Sequence, residues 1–376
     1  MATAFGADVP ITIIDITDGG VRVGYAVDGA SVREMPIARS SVVREKPHTG
    51  RATADGAAVD ALDAHGRVVN VDALEVVLRD ALYDALGWAQ GLEGFACVCE
   101  RGTTSLERRE DVTRMMFEEF NVAGLAFVDA AVGALYACGR TSGVSVEILE
   151  HSSEVTCALE GAATTHTWRR PPRGAKRMDR ALREAIMANH GVDVGEETAR
   201  AIRLAHGKCA ESREEYEAFK RDASSCETEI FTLPDGGELK LTNELYECGE
   251  VLMRETLDGD ERDAEYDHHG SLPAEICESV QKCASEVRQL ILDNIVVHGE
   301  GSKLPGLEAR LLVELQSRLS KVPMVTSIPE YMPASTYAHA PWTGAAIASK
   351  VIFSSNQYMS KSDYNENGPA FAHSRR

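Results

Sequence analysis

Two β-branched runs, Val9 to Ile16 and Val21 to Val27, are separated by Thr17-Asp18-Gly19-Gly20. A tight glycine turn between two such runs dictates a β-hairpin. The same signature returns at Gly143 to Leu149 and Val155 to Leu159. Each hairpin leads into segments that alternate between strand and helix spacing. A chain that twice opens on a strand pair and twice continues into α/β units predicts a duplicated α/β fold of two lobes, each with a partly parallel sheet and helical cover.

After the first hairpin, Leu74, Val77, Leu78, Leu82 and Leu86 lie at helical spacing, so a helix is expected over Val71 to Leu86, feeding a short buried strand at Gly94 to Cys99. Ser105 opens a second helix through Glu107 to Phe120, followed by a strand at Gly124 to Asp129 and a helix at Ala130 to Cys138. After the second hairpin, helices are expected at Ala181 to His190 and Glu197 to Cys209. A Leu233-Pro234-Asp235-Gly236 turn precedes the alternating strand Glu238 to Leu241. Ala274 to Leu292 reads as one long helix, Asn294 to His298 as a buried strand closed by Gly299, and Pro305 to Val322 and Gly344 to Phe353 as helices. The polar stretch from Val43 to His65 has no periodicity and reads as a flexible loop.

Length supports two lobes, since 376 residues exceed what one hydrophobic core of about 250–300 residues fills. The formal charge of -20 disfavours direct binding to a nucleic-acid backbone, which needs a clustered basic face, and suits a basic protein or peptide partner. The Arg-rich stretches Trp168 to Arg180 and Ser374 to Arg376 are short and read as solvated loop and tail. Nine cysteines are scattered, and Cys97-Val98-Cys99 is too tight for a zinc clip, so most are expected to be small buried hydrophobes. His268 and His269 read as surface loop, and no metal site is expected. No apolar run approaches the roughly 20 residues of a membrane span and no secretory signal opens the chain, so an intracellular, soluble protein is expected, cytoplasmic or cytoskeletal rather than nuclear.

Several segments resemble the actin family. NVAGLAFVDAAVGALYACGRTSG at Asn121 to Gly143 resembles that family's strand, helix and Leu-Tyr-Ala-x-Gly-Arg-Thr-x-Gly stretch, and RREDVTRMMFEEF before it resembles the family's preceding helix. LPDGGELKLTNELYEC at Leu233 to Cys248, Pro305-Gly306, Trp342-Thr343-Gly344 and the tail SKSDYNENGPAFAH are similar to further family segments, in order and along nearly the whole chain. The tail points to conventional actin within the actin, hexokinase and heat-shock ATPase superfamily. The resemblance implies an actin-like two-lobed fold around a cleft, with an outer lobe of residues 1–139 plus 338–376 and an inner lobe of residues 140–337.

The resemblance also implies a nucleotide site, and the residues that would form it are altered. In the first phosphate turn Asp15 and Gly19 match the family, but Thr17 replaces a glycine and Asp18 replaces a hydroxyl. Backbone approaches an anion closely only where side chains are absent, and a carboxylate repels phosphate by about 1 kcal/mol even in water at roughly 4 Å. The second turn aligns with Glu147-Ile148-Leu149-Glu150-His151 and has lost both glycines; Ile148 and Leu149 suit continued strand. The family's water-orienting Gln falls at Ala130, its adenine-side Lys-Glu pair at Ala205 and His206, and its adenosine turn at Gly299-Glu300-Gly301-Ser302. Arg22 stands at a phosphate-contacting Lys. It is available for an anion, or it pairs with Asp15, Asp18 or Glu147 in place of the ligand. The remnant nucleotide site is therefore Asp15, Gly19, Arg22 and Gly299.

The family's partner groove aligns with Tyr136, Gly139, Thr141, Val351 and Phe353, which either receive an amphipathic helix or pack the C-terminal helix. The filament-inserting loop, within Val43 to His65, is shorter here and lacks an apolar tip, so a homopolymer is not expected. No Gly-x-Ser-x-Gly elbow or complete P-loop is present. These readings lead to an actin-like, non-catalytic scaffold subunit of a cytoskeletal, axonemal or chromatin-associated assembly. No cofactor, no catalytic residue, no nucleic acid and no membrane are expected. The alternative is an actin-like ATPase that binds ATP and Mg, with Asp15, Glu147 and Glu150 around the metal.

Overall fold

A computed structural model of the chain describes residues 10–26, 44–46, 49–51, 58–61, 68–102, 104–255, 270–330 and 332–374. Its contacts divide into two compact units. One comprises Met1–Thr141, Glu160–Ala163 and Ile328–Arg376; the other comprises Ser142–Leu159 and Thr164–Ser327.

In the first unit, β1 (Ile11–Thr17) pairs antiparallel with β2 (Gly20–Ala26) and parallel with the strand Phe95–Glu100, which in turn runs parallel to Gly124–Asp129. Both faces of this sheet are covered, so its strands read as continuous apolar runs rather than as alternation. Ile14, Val21, Val23, Val98 and Leu125 face one core with the helices α1 (Val71–Arg79) and α2 (Leu106–Glu118). Ile11, Ile13, Cys97 and Val128 face the other, built around Trp342 on the late helix Ala340–Ser354. The indole N–H of Trp342 donates to the Ile13 carbonyl at 3.2 Å, which satisfies a fully buried donor. Ser105 caps α2 as its position suggests, accepting from the Arg108 N–H at 3.2 Å.

The helix α3 (Ala130–Ala137) packs along Ala340–Ser354 through two glycines. A Cβ on Gly344 would lie 1.6 Å from the Gly133 carbonyl oxygen, and one on Gly133 would lie 2.7 Å from the Pro341 carbonyl oxygen. The two backbones thus touch directly, and no side chain fits between them.

The second unit repeats the arrangement. Gly143–Ile148 pairs antiparallel with Ser153–Leu159 on one side and parallel with Ile295–His298 on the other. Its core is lined by Val144, Val146, Met178, Ile202, Leu252 and Leu311, with α4 (Ala175–His190) and α5 (Gly195–His206) packed as adjoining helices. The duplicated hairpin-plus-parallel-strand order read in the sequence is therefore present in both sheets.

Several helices differ from their expected extents: α4 begins at Ala175 rather than Ala181, inside the Trp168 to Arg180 stretch expected as solvated loop, where Arg170 and Arg173 are buried, and two others change more deeply. The segment expected as one helix over Ala274 to Leu292 is two, Leu272–Gln281 and Arg288–Leu292. The Arg288 guanidinium donates to the carbonyls of Gln281 (2.6 Å) and Cys283 (2.9 Å), taking acceptors that the next helical turn would have used. The Val71 to Leu86 helix is α-helical only to Arg79 and continues as a wider π-type turn over Asp80–Ala85. That turn keeps Ala81 and Leu82 fully buried while the Tyr83 hydroxyl donates to Glu93 at 3.1 Å. The loop expected over Val43 to His65 lies largely outside the described residues; the parts described are short strands at Arg44–Lys46, Thr49–Arg51 and Ala58–Asp60. His268 and His269 also lie outside them. All nine cysteines are free thiols and buried, and burial pushes Cys97 and Cys248 up to about 12.

Gly344→Ala should destabilise the chain by about 3 kcal/mol, because backbone on both sides of the contact must move apart. Val351→Ala, an exposed change on the same helix, should stay within about 0.5 kcal/mol of the parent. Urea unfolding followed by tryptophan fluorescence compares them, and equal midpoints would refute the close contact.

Candidate functional site

The first turn is organised by one buried carboxylate. Register sets Asp15 of β1 directly across from Arg22 of β2, and Arg22 Nη1 lies 3.3 Å from Asp15 Oδ2. On the other side Asp15 is in register with Cys99, so Arg101, just past the end of that strand, reaches back. Its Nη1 donates to Asp15 Oδ1 at 2.7 Å and to the Ile16 carbonyl at 2.6 Å. Asp15 has no exposed surface. Burial pushes its carboxyl up, but Arg101 and Arg22 together outweigh burial and hold it below the ordinary carboxylate range.

Thr17 then closes the turn from within. Its hydroxyl oxygen accepts from the N–H groups of Gly19 (3.3 Å) and Gly20 (3.1 Å), and its O–H donates to the Gly20 carbonyl at 3.0 Å. Turn amides that a glycine at this position would leave pointing outward are bonded by the side chain of the turn itself. Asp18 is 1% exposed.

In the second unit the corresponding turn is filled with apolar side chains. Ile148 and Leu149 are buried, and the Leu149 N–H donates to the Ser152 carbonyl at 2.9 Å. The carbonyls of Leu149 and Glu150 accept the N–H groups of Ala175 and Lys176, both at 2.8 Å. Those N–H groups belong to the first turn of α4, whose N-cap Gly174 offers no side-chain cap. Helix N-termini attract anions through such free N–H groups, and here the turn carbonyls take two of them.

Gly299 and its neighbours pack onto the same turn. Gly299 has φ +97°, and a Cβ on it would sit 2.4 Å from the Ile148 carbonyl oxygen; a Cβ on Gly301 would sit 2.3 Å from Ile148 Cγ2. The Gly301 N–H donates to the Ile148 carbonyl at 3.1 Å. Glu300 is drawn off to Arg200 at 3.2 Å, Arg200 lies 4.0 Å from Glu150, and Glu150 lies 3.2 Å from Lys176. Glu150 is thus engaged by cations of its own unit. Ala130 is the first residue of α3, beside the cap made by Asp129 Oδ1 to the Ala131 N–H at 2.9 Å. His206 lies 3.3 Å from Glu229.

Of the residues singled out in the sequence, Asp15, Gly19 and Arg22 come together in the first unit, and Gly299 belongs to the second. Arg22 does meet Asp15, one of the partners expected for it. Arg101 and Arg200 were not singled out; strand register would have pointed to Arg101, whereas Arg200 gives no local signal. The groove residues all fall in the first unit. Gly139 ends α3 at φ +68°, and the Thr141 carbonyl accepts the Gly161 N–H at 2.7 Å. Phe353 stacks on Tyr358 with centroids 4.8 Å apart and packs, like Tyr136, on the core around Trp342, while Val351 is 64% exposed. Among the described residues no helix is long and apolar enough to cross a membrane, and no cluster of three or more His, Cys, Asp and Glu is placed to hold a metal ion.

A duplicated α/β sheet of this order, with hairpin turns at matching places, is an actin-like fold, and the family model for actin matches residues 6–199 and 194–376. The chain belongs to the actin family. Within it, the chain is 30% identical to actin-related protein 7 of Arabidopsis thaliana over 82% of each chain. It is 31% identical to actin-related protein 7 of Oryza sativa, in both subspecies indica and japonica, over 85% of this chain and 87% of those. These likenesses make it an actin-related protein.

The Asp15 cluster predicts a signed pH effect. Because its folded pKa is lowered from 3.8, ionised Asp15 contributes stability that is fully present above about pH 3.8 and is lost as pH falls through the lower folded value. Arg101→Met should cost about 3 kcal/mol at neutral pH by leaving the buried Asp15 carboxylate only the longer Arg22 contact. The gap between variant and parent in urea midpoint should narrow as the solution is acidified. A gap that is constant down to acid unfolding would contradict it.

Proposed function

We propose that this chain is a non-catalytic structural subunit of a larger protein assembly, whose nucleotide turns have become internal packing. The observation that carries this reading is the closure of the first turn by the Thr17 hydroxyl, which occupies the Gly19 and Gly20 amides. The burial of Ile148 and Leu149 at the second turn supports it. The residues present do not fit a nucleotide and its metal. Asp15 is engaged by two guanidiniums, Glu150 by Lys176, and the position of the family's water-orienting Gln is the apolar Ala130.

Its partners in this reading are proteins. The surface at Tyr136, Gly139, Thr141, Val351 and Phe353 would receive the apolar face of an amphipathic helix, with Val351 as the exposed contact. A cytoskeletal, axonemal or chromatin-associated complex each offers such a partner, and the reading favours a cytoplasmic, cytoskeletal setting.

Calorimetric titration of the full chain with Mg-ATP tests the proposal. No binding heat is expected at micromolar ligand. Micromolar or tighter binding, or phosphate release above a denatured control that Asp15→Ala abolishes, would overturn it in favour of an ATPase.

A further inference from the structure

In the second unit the strand Ser153–Leu159 and the end of the helix Leu272–Gln281 bring two cysteines together around one serine. Ser279 has no exposed surface; its hydroxyl lies 3.3 Å from Cys157 Sγ, and its carbonyl accepts from the Cys283 thiol at 3.9 Å, one helical turn on. The two sulfurs also meet directly, with the Cys157 thiol hydrogen-bonded to Cys283. Both side chains belong to the core of this unit, and neither takes part in the turns described above.

Their positions assign them unequal roles. Cys157 has no exposed surface and lies within the sheet, where its N–H donates to the Thr167 hydroxyl at 3.0 Å. Cys283 lies in the break before Arg288–Leu292, and its neighbours Gln281, Lys282, Ala284 and Ser285 are all exposed, so a local opening there admits a small oxidant. The Arg288 guanidinium, bonded to the Cys283 carbonyl at 2.9 Å, keeps a positive charge beside it. The contact with Cys157, and after it Arg288, lower the Cys283 thiol below its ordinary value although burial opposes them; that same contact, together with burial, raises Cys157. Cys209, Cys248 and Cys277 in the same core are raised by burial. A lowered thiol with a second thiol against it is the arrangement in which oxidation of one sulfur is captured by the other.

We propose that Cys157 and Cys283 form a site of reversible oxidation, at which a peroxide converts the two thiols into a disulfide joining the strand Ser153–Leu159 to the end of the helix Leu272–Gln281. The Cys283 thiolate attacks one peroxide oxygen; an S–O bond forms, the O–O bond breaks, and the leaving hydroxide takes up the proton of the thiol as water. Cys283 is then a sulfenic acid, and the thiolate acceptor that held the proton on Cys157 is gone. The Cys157 sulfur attacks that of Cys283; an S–S bond forms, the S–O bond breaks, and the departing hydroxide carries off the Cys157 proton as a second water. The two thiols lose two electrons in all, and one peroxide gains them. The inference holds whether or not the chain binds nucleotide, because neither sulfur lies in the Thr17 or Ile148 turn.

Hydrogen peroxide added to the folded full chain, followed by alkylation of the remaining thiols in denaturant and peptide mass mapping, tests this. Of the nine thiols, Cys157 and Cys283 should be lost together as one cross-linked peptide, and dithiothreitol should restore both. Cys283 should disappear about tenfold faster than Cys248 or more. In Cys157→Ala the reaction should stop at a Cys283 sulfenic acid that dimedone captures, and Cys283→Ala should leave Cys157 reduced. Since both substitutions touch a packed core, mapping of the unaltered chain decides the question by itself. The proposal is overturned if Cys157 and Cys283 stay reduced under peroxide, if they are lost no faster than Cys248, or if the disulfide that forms joins other cysteines.

Discussion

A carboxylate with no exposed surface persists only if opposite charge and hydrogen bonds replace the water it has lost. Asp15 meets that condition through Arg22 on its own hairpin and Arg101 just past the end of the neighbouring strand, and the arrangement ties three strands together at one end of the first sheet. The closed Thr17 turn sits directly beyond it. Removing the carboxylate would leave two guanidiniums facing each other in a dry interior, so the cluster stands or falls as a unit.

The two sheets share an order but close their turns by different chemistry. In the first, a hydroxyl satisfies backbone donors locally; in the second, Ile148 anchors the Gly299 turn while carbonyls bond the start of α4. Both solutions pair backbone groups of the turn within their own unit, which is the condition any buried loop must meet. The two devices are independent, and each makes the local fold self-sufficient.

Much of this was legible in the sequence because it depends on short-range rules. The hairpins followed from β-branched runs around glycine, the α2 cap from Ser105, and the belonging to actins from ordered segments along the chain. The turn sequences at Thr17 and Ile148 announced a departure from a glycine-built site, but not how the departure is accommodated. That depended on where one hydroxyl and two carbonyls point. What escaped was set by side chains acting at a distance: Arg288 ending a helix by taking the Gln281 carbonyl, and Arg200 connecting turns that lie 150 positions apart, from Glu150 to Glu300. Periodicity registers apolar faces and is silent about which carbonyl a long cation will choose.

The nine buried thiols have a consequence of their own. Thiolate is the reactive form, and a thiol whose pKa is raised by burial reacts with an alkylating reagent only after the segment around it opens. Burial raises Cys97 in the first sheet, and Cys209, Cys248 and Cys277 around the core of the second. The chain therefore carries built-in reporters in both units, and the order in which the sulfurs become modified would record which half breathes first.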